Sequence, residues 1–160
     1  MSDRPADDAH ALVGRLYDAY GPSLYRYAVM LLADPAAAED VIHQVFTAIL
    51  RRPPDLEQEA HYLRRAVRNE CFSHLRRRQA DLRDAAARPI LEPVTAGVSD
   101  DDRIGLERAI TMLSPEQREV VHWHVFEGMT FQEIANASDV SINTIAARYR
   151  YALARLRQLL

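Results

Sequence analysis

The sequence predicts an all-α fold of two small helical domains joined by a flexible linker, and three observations support this. Apolar residues recur at three- and four-residue spacing through most of the 160 residues, with no alternating strand pattern. N-cap, first-turn proline and capping-box signals punctuate that periodicity. The periodicity fades once, between Ala80 and Asp102, into a polar stretch carrying Arg88-Pro89, Glu92-Pro93, Ala96-Gly97 and Asp100-Asp101-Asp102, which reads as a solvated linker. The expected units are residues 9–79 and 103–160, with the linker over 80–102.

In the first unit, Leu12, Val13, Leu16, Tyr17 and Tyr20 keep helical spacing up to Gly21-Pro22, and Leu24, Tyr27, Ala28, Leu31 and Leu32 repeat it, which predicts a helical hairpin broken at that dipeptide. Asp34-Pro35 is an N-cap and first-turn signal for a third helix with Val41, Ile42, Val45, Phe46 and Ile49 inward, ended by Arg51-Arg52-Pro53-Pro54. A fourth helix is expected from about Glu57 to Gln79, with Tyr62, Leu63, Ala66, Val67 and Leu75 inward. In the second unit, Ile104 to Leu113 reads as a short helix, and Ser114-Pro115-Glu116-Gln117 as a capping box opening another that Gly128 stops. Thr130-Phe131-Gln132-Glu133 is a second capping box, for a helix of about two turns, and Ser141 caps a last helix that runs to the C-terminus.

With 48% apolar residues the chain can build helical cores. Its longest apolar run, Ala28 to Ala33, is far short of the roughly 20 residues of a membrane span, so a cytoplasmic protein with no membrane partner is expected. The single cysteine, Cys71, closes no intramolecular disulfide and reads as a small half-buried side chain. The net charge of −3 conceals a pattern. Residues 64–83 carry seven arginines against two acids and residues 141–160 carry four against none, while 1–50 and 84–107 are each −4. All 20 basic residues are arginine, a side chain suited to bidentate phosphate and guanine contacts.

Thr130 to Arg157 fits a helix-turn-helix: a short helix with Ile134 and small Ala135, a turn at Ser138-Asp139-Val140, and a longer helix with Ile145 inward. Asp139 stands where glycine is usual, and Asp tolerates the left-handed conformation better than most residues. On the last helix Ile145, Tyr149, Ala152, Leu153 and Leu156 form one stripe, leaving Asn143, Ala147, Arg150 and Tyr151 on or near the opposite side. Residues near the start of such a helix enter the major groove, where Asn pairs with adenine and Arg with guanine, while Arg155 and Arg157 are placed for phosphate contacts. In the first unit Arg64, Arg65, Arg68, Arg76, Arg77 and Arg78 share a helix with Tyr62 and Asn69, a nucleic-acid footprint on charge alone. A solvated arginine face is the plain alternative for both helices.

Two segments together resemble the extracytoplasmic-function branch of the bacterial RNA polymerase sigma factors. LYDAYGPSLYRYAVMLLADPAAAEDVIHQVF with HYLRRAVRNECFSHLRRR is similar to that family's second conserved region, and LSPEQREVV followed by FEGMTFQEIANASDVSINTIAARYRYALARLRQLL to its fourth. The resemblance implies a transcription initiation factor that binds core RNA polymerase, at the β′ clamp helices and the β flap, and directs it to promoter DNA. It maps polymerase docking onto Glu39, Asp40, His43, Gln44 and Phe46. It maps capture of the melted minus-ten strand onto Arg51, Arg52, Asp55, Arg65, Arg68, Asn69 and Arg76, for which a cationic groove with aromatic neighbours is suited. It maps readout of the minus-thirty-five element onto Ser141, Asn143, Thr144, Ala147, Arg148, Arg150 and Tyr151. An anti-sigma factor is a further partner that the family implies, and no cofactor or metal is expected.

The chain departs from the family pattern at three places: His43-Gln44 where Gln and an acid are usual, Ser73 where Asp is usual, and Ile49 where Trp is usual. An enzyme is disfavoured because there is no phosphate-cradling loop, no G-x-S-x-G and no H-E-x-x-H, and His122 and His124 point about 200° apart on a helix. Two other readings differ in what the first unit does. A helix-turn-helix regulator would bind duplex DNA without polymerase, and a degenerate sigma-like protein would hold polymerase or an anti-sigma partner without initiating.

Overall fold

Gly21-Pro22 does not break the first helix. In the computed structural model, which describes residues 4–55, 57–84 and 101–160, α1 runs unbroken over Arg4–Leu32 with Pro22 inside it. Leu16, Leu24, Tyr27, Ala28, Leu31 and Leu32 are all buried, so one apolar stripe stays in phase across the dipeptide. Pro22 is exposed, as is Asp18, whose carbonyl loses its donor on the side facing water. Gly21 is buried, and a Cβ there would lie 3.4 Å from the Tyr17 ring. The glycine makes room for that ring, which meets Phe46 edge-on at 5.3 Å between centroids. Burial of a continuous stripe outweighs the roughly 3 kcal/mol cost of an interior proline, because each fully buried Leu or Ile contributes about 1.5–3 kcal/mol.

Ala33, in left-handed conformation (φ 52°), ends α1, and Asp34 at once caps α2, Pro35–Arg51, by accepting a hydrogen bond from the Ala37 amide at 3.1 Å. Val41, Ile42, Val45, Phe46 and Ile49 are buried against the rest of the unit, as the periodicity predicts. α3 spans Glu59–Asp84 and is longer than its sequence pattern suggests, so the first five residues read as linker are helical. Its buried stripe is Leu63, Val67 and Cys71, each 0% exposed, which makes Cys71 fully rather than half buried. Ala66 and Leu75 are half-buried, and Tyr62, expected inside, is 39% exposed. At 100° per residue Tyr62 lies about 100° from Leu63, off the stripe. The Arg15 guanidinium joins α1 to the first turn of α3 through a two-pronged ion pair with Glu59, at 2.6 and 3.0 Å, and the Tyr20 hydroxyl donates to the same carboxylate at 3.4 Å. This contact raises the Arg15 pKa and lowers that of Glu59.

The chain divides into two compact units, Met1–Ala87 and Arg88–Leu160. Of the stretch read as linker, residues 85–100 lie outside the described residues. In the second unit α4 spans Asp101–Thr111, starting two residues inside that stretch. α5 is Pro115–Val121, opened by the Ser114–Gln117 capping box, with the Gln117 amide donating to Ser114 Oγ at 3.2 Å and the Ser114 amide to Gln117 Oε1 at 3.1 Å. It passes directly into a π-helical turn over His122–Phe126, a feature that the sequence pattern does not announce. Arg118 to Trp123 are all buried, so the end of α5 and the start of the turn are enclosed on every side. Gly128 (φ 68°) then turns the chain into α6, Phe131–Ser138, and α7, Ile142–Leu159. Among the described residues there is no strand, and no helix is long and apolar enough to cross a membrane.

Candidate nucleic-acid interface

α6 and α7 form the helix-turn-helix. The Thr130 capping box opens α6: the Glu133 amide donates to Thr130 Oγ1 at 3.2 Å, and the Thr130 amide to Glu133 Oε2 at 2.7 Å. Ile134, Ala135 and Ile145 are buried where the two helices meet, and small Ala135 permits the close approach. Asp139 takes the left-handed turn (φ 57°, ψ 43°), and the Val140 amide donates to the Ala135 carbonyl at 3.2 Å, which satisfies an end carbonyl of α6. Ser141 caps α7 by accepting from the Thr144 amide at 3.2 Å, and its hydroxyl also bonds that of Thr144 at 2.9 Å. Both hydroxyls predicted to contact DNA thus also hold the start of α7 in shape.

The buried stripe of α7 is Ile145, Ala152 and Leu156. At 100° per residue Asn143, Ala147 and Arg150 lie within about 60° of one another on the opposite side, with Asn143 and Arg150 exposed and Ala147 half-buried. Tyr151 beside them is 61% exposed, and the Arg150 guanidinium sits over its ring at 5.5 Å. Arg148 is half-buried at the flank, with Nη1 enclosed and without a hydrogen-bond partner among the described residues. Tyr149 and Leu153, placed in the inward stripe by the sequence, are half-buried at its edges.

On α3 the exposed face is equally well defined. Tyr62, Arg65, Asn69 and Arg76 fall within an arc of about 60°, roughly opposite Cys71, and all four are exposed. Arg68 is half-buried beside this face, its guanidinium 4.7 Å from the centre of the Phe72 ring. Arg76 Nη2 donates to Ser73 Oγ at 3.0 Å, and Arg77 pairs with Glu70 at 3.2 Å. Arg51, Arg52 and Asp55 are exposed at the end of α2 and in the segment after it. Tyr62 is the residue that sequence reasoning misplaced: its spacing from Leu63 is the signal that could have put it on the arginine face. The result is a row of cations with an exposed aromatic ring at its head, which can draw phosphate and stack a base.

On α2, Glu39, Asp40, His43 and Gln44 are exposed together and form a polar face free to meet a partner. Phe46, expected to be part of a polymerase contact, is only 6% exposed and packs on Tyr17, so it belongs to the core and not to this exposed face. Ile49, where the family usually carries Trp, is likewise a core residue at 2% exposure. Among the described residues no group of His, Cys, Asp and Glu could hold a metal ion.

Comparison with known proteins agrees with this layout. The profile of Sigma-70 region 2 matches residues 16–80, and that of Sigma-70, region 4 matches residues 103–156. The RNA polymerase sigma-E factor of Streptomyces coelicolor is 30% identical over 139 residues, covering 85% of this chain and 78% of that one. The ECF RNA polymerase sigma factor SigL of Mycobacterium tuberculosis is 28% identical over 157 residues, covering 92% and 88%. Among solved structures, the sigma factor RpoE of Bartonella quintana, in complex with the anti-sigma factor NepR, superposes with a TM-score of 0.71 at 24% identity, covering 91% of this chain and 94% of that one. Sigma factors of this kind are in general regulators and not enzymes. With a sigma profile on each unit and relatives matching along most of its length, the chain belongs to the extracytoplasmic-function sigma factors, which direct RNA polymerase to promoters to initiate transcription.

Proposed function

We propose that the two units divide promoter recognition as the two arginine faces suggest, the first (9–79) taking the melted minus-ten strand and the second (103–160) the minus-thirty-five duplex. The observation that carries this reading is the pairing of each exposed arginine face with a buried stripe on the other side of the same helix, Leu63, Val67 and Cys71 on α3 and Ile145, Ala152 and Leu156 on α7. Each reading face is thus held by a core and not by its own contacts.

On α7, Asn143 and Arg150 point into the major groove, Ala147 leaves room for a base edge, and half-buried Arg148 flanks that face. Ser141 and Thr144 fix the helix start, where backbone amides and the helix dipole favour phosphate. On α3, Arg65, Asn69 and Arg76 follow the single strand with Arg51, Arg52 and Asp55 beside them, Tyr62 offers a ring to an unstacked base, and Arg68 stiffens the helix against Phe72. Glu39, Asp40, His43 and Gln44 meet core polymerase at the β′ clamp helices, and the second unit meets the β flap. The chain works in the cytoplasm with the polymerase, which performs all the chemistry, and needs no cofactor of its own. The likeness to a sigma factor solved with its anti-sigma factor supports an anti-sigma protein as a further partner.

Run-off transcription with purified core polymerase on a library of random promoters, with and without the protein, tests the reading. New start sites sharing a two-part upstream motif support it. Co-purification with core polymerase without transcripts would favour a degenerate sigma-like protein, in line with Gln44 at the position where an acid is usual, and binding to duplex DNA without polymerase would favour a helix-turn-helix regulator.

A further inference from the structure

The π-helical turn places one side chain where three segments of the second unit meet. The His124 ring lies 4.7 Å from the ring of Phe131, the first residue of α6, and 4.8 Å from that of Tyr149 in α7, which it meets edge-on. Phe131 and Tyr149 are themselves 5.3 Å apart, so the three rings close a triangle. His124 Nδ1 donates to the Met129 carbonyl at 2.8 Å, which fixes the ring plane, and the Met129 amide donates back to the Trp123 carbonyl at 2.8 Å. The turn itself is closed by the Glu127 amide donating to the His122 carbonyl at 3.1 Å.

Tyr149 stands between Arg148 and Arg150 and one turn beyond Ile145. A change in its seat tilts or rotates the part of α7 that carries Arg150, while the cap at Ser141 and the Ala135 contact hold the start of the helix. Recognition groups must be held within about 0.5 Å of their working geometry, and removing a ring opens a gap far larger than that. The π-turn aims His124 at this seat while keeping its neighbours His122 and Trp123 in the core. Resting on the reading of α7 as the minus-thirty-five reader, we infer that His124 is a positioning residue for promoter selection: its ring, wedged between Phe131 and Tyr149, sets the angle at which α7 presents Arg150 and Asn143 to DNA.

The test uses the full chain with core polymerase on two promoter panels, one varied in the minus-thirty-five element and one in the minus-ten element. His124→Ala should flatten minus-thirty-five discrimination by roughly tenfold and leave minus-ten discrimination as it is. His124→Phe, which keeps the ring and loses the hydrogen bond, should restore most of it, and His124→Gln, which keeps a polar group without a ring, should not. A merely structural role would lower output on both panels alike, and that result would overturn the inference, as would full minus-thirty-five discrimination in both His124→Ala and His124→Gln. If His124→Ala melts below the assay temperature, the contrast between the Phe and Gln variants decides in the same way. Arg150→Ala is the control. If it too leaves minus-thirty-five selection intact, the reading of α7 has failed, and if it alone lowers selection, only the role of His124 has.

Discussion

Arg150 and Arg157 lie on the same face of α7, seven residues apart, and differ in how far along the helix they stand. At 1.5 Å per residue Arg150 is about 12 Å from Ile142 and Arg157 about 22 Å, while the major groove is about 12 Å wide. Height alone therefore admits Arg150 to the base edges and leaves Arg157 at the phosphates. The Arg150 guanidinium also lies over the ring of its exposed neighbour Tyr151, 5.5 Å from the centroid, a loose contact that leaves its N–H groups available to a base. Replacing it with Ala should cost about 1–3 kcal/mol at one base pair, or roughly 5- to 150-fold in discrimination there. The helix should not suffer, since the side chain is exposed and Arg and Ala have similar helix propensity. Arg157→Ala should instead weaken all promoters alike and lower the slope of log affinity against log salt by about 1. The assay is run-off transcription with core polymerase on single-base variants of the minus-thirty-five element, repeated across a salt series. Equal, sequence-independent losses for the two variants would refute the geometric argument.

Three further outcomes are expected. The lowered Glu59 pKa means that its pair with Arg15 stabilises the first unit at pH above the unfolded carboxylate value near ~4.3, and that this contribution is lost as pH falls through the folded value. Glu59→Gln should therefore melt below wild type at neutral pH and low salt and converge with it in acid, as read by circular dichroism; a gap that widens in acid would contradict the sign. Asp139→Val should destabilise the second unit by about 1–2 kcal/mol and Asp139→Gly should stay within about 1 kcal/mol of wild type, because only glycine takes the left-handed turn freely. Urea titration followed by fluorescence of Trp123, the only tryptophan and 1% exposed, reads that unit alone. Gln44→Asp, which adds an acid to the exposed face of α2, should tighten binding to core polymerase in a salt-sensitive way, and unchanged affinity would remove Gln44 from the docking surface.

Local signals determined much of this protein from the sequence. The caps at Asp34, Ser114, Thr130 and Ser141 fixed where four helices start, because a side-chain oxygen bonding an amide three residues on is a property of the chain itself. The stripes of α2 and α7 and the left-handed turn at Asp139 were legible for the same reason, and the motif order over both units was enough to suggest the family. Tertiary structure decided what local rules leave balanced. Gly21-Pro22 reads as a break by propensity, yet burial on both sides carries α1 through it, with Tyr17 over the glycine and the proline turned to water. Tyr62, expected inward, lies outside, and Phe46, which the periodicity places in the core and the family resemblance places in a docking contact, is held in the core by the packing of Tyr17. The π-turn at His122–Phe126 was invisible to a 3.6-residue reading, since its extra residue is stabilised by contacts from α6 and α7 that exist only once the unit has folded.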